Sequence, residues 1–261
     1  MMCQACRSEP ERFRSDQQDS ILDMLNQLFK RSRPSVRHQL ELISIHIPKT
    51  AGTSFRNSLE GVYGKEEVIR LDIGLVRQEV RVWETIYEEE QLPARTKVVH
   101  GHFSYPLLTR HFTIDPAVPV ITWLRDPVKR VVSNYLYLAK RLAEELKEEE
   151  RGLNILKKMQ RSLIEYASYE PSQNRMSKFL EGLDLERMAF VGLVESYDED
   201  LAHLAARLGW EDYPVFHHNR TGKSSDAISA QELDLIRSLN QDDIRLYERA
   251  QDLRAKGHWQ S

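Results

Sequence analysis

The chain has 261 residues, 30% of them charged and 41% apolar, with 37 basic against 40 acidic side chains and a formal charge of −3. That balance excludes a general nucleic-acid coat, though not a local basic cleft, and no apolar run reaches the roughly 18 residues of a membrane span. The length suits one large domain or two small ones.

Residues 1–18 are polar and read as a flexible tail, with 19–261 as a single domain. The N-terminal residues lack the apolar core of a signal peptide, and Cys3 and Cys6 have no second pair to complete a zinc site or disulfide framework. A soluble, cytoplasmic protein is the expectation. Residues 19–31 place Ile21, Leu22, Leu25, Leu28 and Phe29 on one helical face, suited to covering the domain's own core or to meeting a surface or partner.

A strand over 42–47 stops at Pro48 and opens into Lys49-Thr50-Ala51-Gly52-Thr53-Ser54, and a helix follows over 53–62 with Phe55, Leu59 and Val62 on one side. A short strand over 67–71, a helix through about 75–90 and a β-branched run at 97–100 come next. Val118–Leu124 is almost wholly apolar, as in a parallel strand covered on both faces. Asp126-Pro127 supplies an N-cap and a first-turn proline for a helix running toward Glu150, whose acidic stretch over 144–150 reads as a solvated face. Helices over 153–168, 172–181, 197–208 and 230–256 surround one more strand at 189–194. Alternating strands and helices, then a helix-rich C-terminal half, predict a three-layer α/β fold with a central parallel sheet.

Two segments carry chemistry. The turn at 48–54 joins a strand end to a helix N-terminus, where unpaired N–H groups, the helix dipole and Lys49 favour an anion. It is not a Walker A loop, because its lysine precedes the glycine; Gly222-Lys223-Ser224 fails too, having His217 where the first glycine would stand. In the second segment, Arg125 follows the apolar strand at the sheet edge where α/β folds bind ligands, and Ser133 lies about two turns into the next helix. Together they can clamp a second phosphate, or Arg125 can pair with a carboxylate while Ser133 packs.

These segments resemble the P-K-T-x-[G/S]-[T/S]-[S/T] turn and the R-D-P…S segment of sulfotransferases that use 3′-phosphoadenosine 5′-phosphosulfate. Val99-His100-Gly101-His102-Phe103-Ser104-Tyr105 is similar to a segment of the uronyl and heparan sulfate 2-O-sulfotransferase branch. Asn219-Arg220-Thr221-Gly222-Lys223-Ser224-Ser225 resembles that branch's nucleotide-closing loop. Phe190–Glu195 and Asp242–Tyr247 also fit, so the likeness spans roughly residues 40–255.

The resemblance implies a P-loop-like sulfotransferase fold and a phosphosulfate held by Lys49, Thr50, Ala51, Gly52, Thr53 and Ser54. It implies a 3′-phosphate on Arg125 and Ser133, with Arg220, Thr221, Lys223 and Ser224 closing over the nucleotide. His102 takes the place of the general base, with His100 the runner-up or an orienting neighbour, and Lys49 faces the leaving oxygen. No metal is implied, and His217-His218 suits a surface or packing role. The acceptor expected is a hydroxylated carbohydrate or glycoconjugate. Were it a sulfated or uronate polymer, a basic stripe would line the cleft, for which Arg77, Arg81, Arg110, Lys140, Arg141, Arg175 and Lys178 are candidates, with ordinary surface charge the alternative. A nucleotide kinase with an altered loop and a non-catalytic nucleotide-binding protein are the rival readings.

Overall fold

The first strand, β1 (Leu42–Ile45), is buried along its whole length and lies between two parallel neighbours. The structure, a computed structural model, describes residues 40–75, 77–148, 162–217 and 228–260. The expected tail over 1–18, the helix over 19–31, residues 149–150 of the acidic stretch, residues 153–161 of the expected 153–168 helix and the 219–225 loop lie outside the described residues.

The chain continues through α1 (Gly52–Tyr63), β2 (Val68–Ile73), β3 (Val80–Val82), β4 (Thr85–Ile86), β5 (Val98–Gly101), α2 (Tyr105–His111) and β6 (Val120–Leu124). After these come α3 (Pro127–Glu148), α4 (Leu163–Ser168), α5 (Arg175–Phe179), β7 (Phe190–Leu193), α6 (Tyr197–Leu208), α7 (Ala230–Leu239) and α8 (Gln241–Ala255). The sheet order is β4-β3-β2-β5-β1-β6-β7, parallel from β2 to β7 and antiparallel only at the β3–β4 edge. This is the expected α/β architecture, a mostly parallel central sheet flanked by helices.

From β1 the chain runs out to β2, β3 and β4 on one side, returns to β5 between β2 and β1, and then crosses to β6 and β7 on the other. The reversal opens a crevice beyond the carboxyl ends of β1, β5 and β6, where open α/β sheets take ligands. The main core is built from strand residues such as Ile43, Val99, Ile121 and Val191, with Phe55 and Leu59 of α1 and Leu201 and Leu204 of α6 against them. A second apolar cluster joins α3, α4 and α7 through Val128, Val131, Val132, Leu163, Ala167 and Ile236.

Two expectations are corrected. The helix proposed over 75–90 is a β-hairpin. Val80 and Val82 pair with Ile73 and Leu71 and occupy what would be an open sheet edge, and Trp83 and Glu84 turn the chain at φ 50° and 73°. Neither turn residue is a glycine or asparagine, so the usual hairpin signal is missing from the sequence. The helix proposed over 230–256 breaks at Asn240. Its buried amide donates to the Ile236 carbonyl (2.8 Å) and accepts from the Asn174 N–H (2.9 Å), while Asn174 Oδ1 accepts from the Asp242 and Asp243 N–H groups (3.1 and 3.2 Å). Helices α5 and α8 thus cap each other, which no local pattern reveals.

Candidate active site

The turn after β1 is held by its own backbone and side chains. Thr50 Oγ1 donates to the Ile47 carbonyl at 2.9 Å, and Lys49 and Ala51 adopt left-handed φ values of 74° and 62°. Such a conformation costs a non-glycine residue about 1 kcal/mol or more, so the surrounding fold must impose it. Ala51 is the N-cap of α1 and offers no side-chain cap, and no acidic residue occupies the first turn. The helix start therefore presents N–H groups and the positive end of its dipole to the crevice. Lys49 stands beside it with its ammonium 4.1 Å from the Tyr137 ring centroid. Burial, and then the Arg125 charge, lower the Lys49 pKa from its ordinary value.

Arg125 leaves the end of β6 and donates through Nη1 to the Lys49 carbonyl at 3.2 Å, fastening the two loops together. Asp126 caps α3 by accepting the Lys129 N–H at 2.8 Å, with Pro127 opening the helix. Glu195, just past β7, accepts the Asp126 N–H (3.1 Å) and the Tyr247 hydroxyl (2.9 Å), and so fixes the Arg125 loop from below. Ser133 is buried on α3 and lines the same crevice.

The other end of the crevice is built from imidazoles. Parallel register sets Ser44 level with His100, so His46 and His102 follow at matching heights. The His46 ring lies 4.3 Å from that of His102 and 5.0 Å from that of His100, centroid to centroid. His102 Nδ1 is 2.7 Å from the His46 carbonyl, which only accepts, so Nδ1 carries the proton and Nε2 keeps its lone pair. His100 Nδ1 pairs with Ser44 Oγ at 2.9 Å. A Cβ on Gly52 would come within 1.8 Å of His46 Nε2, so the ring can occupy its place only because position 52 is glycine.

All three imidazoles are held neutral. Burial, then neighbouring His and Arg charges, pushes His46 well below its ordinary value. Burial and then His102 push His100 down to about 3. His102 is also lowered by burial, partly offset by the Asp72 carboxylate and by the bond to the His46 carbonyl. Asp72 Oδ1 accepts the His102 backbone N–H at 2.9 Å, and Asp72 is itself paired with Arg70 at 2.9 Å.

One cleft of about 720 Å³ gathers Lys49, Ala51, Gly52, Thr53, Ser54, His100, His102, Arg125 and Ser133. Thr50 sits behind it, its hydroxyl spent on Ile47. Arg220, Thr221, Lys223 and Ser224 lie outside the described residues. The cleft adds residues that sequence reasoning missed: His46, Arg56, Arg70, Asn134 and Tyr137. His46 was within reach, since it directly precedes the Ile-Pro-Lys turn at the end of a strand. Arg56 and Arg70 were not, because helix phase and strand pairing aim them. None of the seven basic-stripe candidates is among the residues that line this cleft; Arg81, Arg110 and Lys178 bond Glu79, Gln78 and Glu170.

Among the described residues no group of three or more His, Cys, Asp or Glu side chains is arranged to hold a metal ion, and no helix is long and apolar enough to cross a membrane. The cleft instead combines cationic anion-holding groups at one end with a neutral, oriented imidazole at the other. Such a pair can hold a phosphate-bearing donor and take a proton from a hydroxyl.

No protein-family model and no curated protein matches the chain. Among solved structures it is similar to one described as "Crystal Structure of Sulfotransferase from Alicyclobacillus acidocaldarius", at 15% sequence identity and a TM-score of 0.43, over 82% of this chain and 95% of that one.

Proposed function

We propose that this protein transfers a sulfuryl group from 3′-phosphoadenosine 5′-phosphosulfate to a hydroxyl of a carbohydrate acceptor. The observation that carries the proposal is the convergence in one cleft of the Lys49 turn with the α1 N-terminus, of Arg125 with Ser133, and of the free Nε2 of His102. The motif resemblance supports the same assignment.

In this scheme His102 Nε2 takes the proton of the acceptor hydroxyl as its oxygen bonds to sulfur. The bond from sulfur to the bridging oxygen of the 5′-phosphate breaks, and its electron pair stays on that oxygen. Lys49 and the α1 N–H groups neutralise the charge that grows there, and adenosine 3′,5′-bisphosphate leaves. His100 and His46 support His102 through packing and the carbonyl bond. Arg125 and Ser133 hold the 3′-phosphate and so set the donor's register.

Adenosine 3′,5′-bisphosphate at about a hundred times its Kd adds about 2.7 kcal/mol of stability, which for a chain of this size raises Tm by about 5 to 10 °C. Differential scanning fluorimetry reads this directly. A chain with no shift at millimolar ligand, or with a larger shift from Mg·ATP, does not bind the proposed donor.

A further inference from the structure

Beside the cleft runs a second depression of about 770 Å³ between α3 and the α4–α5 segment, and its chemistry is different. Its walls are mainly aromatic and aliphatic: Tyr135, Leu138, Leu142, Tyr166, Tyr169 and Pro171. Among the described residues, Arg175 is the one charged side chain that lines it. Leu138 and Tyr169 are 44% and 49% exposed, an apolar surface larger than an isolated side chain accounts for.

The groove is continuous with the cleft. Asn134 lines both, and its amide donates to the Tyr166 hydroxyl. At the inner end, the Arg175 guanidinium lies 5.1 Å over the buried Phe179 ring, whose centroid is 6.3 Å from that of the His102 ring. The Arg175 wall of the groove thus stands close to His102 across Phe179, and the two depressions meet at Asn134.

We infer that this groove is the subsite for the acceptor's apolar part, and that the acceptor is a glycoside carrying an apolar aglycone. This rests on the sulfotransferase proposal for the chemistry at His102, and it narrows the carbohydrate class. Tyrosine faces and Leu138 suit an alkyl or aryl body, while Arg175 and Asn134 stand where polar sugar hydroxyls give way to it.

The test titrates the full chain calorimetrically with n-octyl β-D-glucopyranoside below its micellar concentration, and with methyl β-D-glucopyranoside. The octyl glucoside binds at one site on the order of 100-fold more tightly, given the methylenes the groove removes from water. Leu138→Glu and Tyr169→Ala, both at exposed positions that tolerate change, each weaken it by about tenfold or more and leave the adenosine 3′,5′-bisphosphate Tm shift intact. Equal affinity for the two glucosides, or octyl binding unmoved by both substitutions, overturns the subsite. Loss of the nucleotide shift in the unaltered chain instead overturns the donor assignment, so the two failures are distinct.

Discussion

The two ends of the cleft handle charge in opposite ways. At the Lys49–Arg125 end, cations are set beside an uncapped helix start, and the Arg125 guanidinium is tied to the neighbouring turn. At the imidazole end, burial strips charge from groups that would otherwise titrate near neutrality, and it pushes His100 down to about 3. The difference is one of starting point. Desolvation disfavours every charged form, but lysine and arginine begin far above physiological pH while histidine begins at its edge. In the proposed mechanism the same low-dielectric crevice therefore serves as an anion clamp at one end and a proton acceptor at the other.

The comparison is broken most directly by exchanging losses. His102→Ala removes the proton acceptor, so kcat falls by about 10² to 10⁴, while the Tm shift from adenosine 3′,5′-bisphosphate stays near the wild-type value. Arg125→Ala does the reverse, weakening that nucleotide by about tenfold to a hundredfold through loss of a charged hydrogen-bonding partner. Turnover assays and nucleotide titration on both variants check this. If His102→Ala loses the nucleotide as severely as Arg125→Ala, the two ends are not separate.

Gly52→Ala probes the seam between the ends and carries an intermediate effect. Helix propensity alone favours alanine there by about 1 kcal/mol. The new Cβ, however, would lie 1.8 Å from His46 Nε2 and 2.1 Å from its Cδ2 and Cε1. The His46 ring must turn, which undoes its packing on His102 and crowds the α1 start. The clash wins: the variant loses about 1 to 3 kcal/mol in urea unfolding, and kcat falls roughly tenfold. A variant as stable and active as wild type would show that the ring has room to move and does not position His102.

How much of this was legible in the sequence follows from the range of each interaction. The apolar strands over 42–45 and 120–124 announce themselves by composition, and the helix over 197–208 appears with the bounds expected. The Lys49 turn and Arg125 were legible because both lie at strand ends, which α/β topology brings to one edge. The hairpin at 80–86 was not, because Val80 and Val82 owe their strand conformation to the edge of β2. His46 was passed over although it precedes the Lys49 turn, since its significance depends on the parallel register of β1 with β5. The break at Asn240 likewise depends on Asn174, far away in sequence.

The smallest effect tests how finely the imidazole end is set. Asp72 accepts the His102 backbone N–H, and its carboxylate raises the His102 pKa against the larger lowering by burial. Asp72→Asn keeps an oxygen acceptor in place and removes the charge, which also leaves the nearby Arg70 with Glu84 as its remaining carboxylate partner. Both changes disfavour a second proton on His102. The base must be neutral to work, so the acid limb of kcat/KM, already below the ordinary histidine value of 6.5, moves to still lower pH. A less basic imidazole accepts the acceptor's proton less readily, so the high-pH plateau falls, by no more than about tenfold. Rate profiles from pH 4 to 8 for the two proteins would read both changes. An acid limb moving upward would mean that a group other than His102 takes the proton.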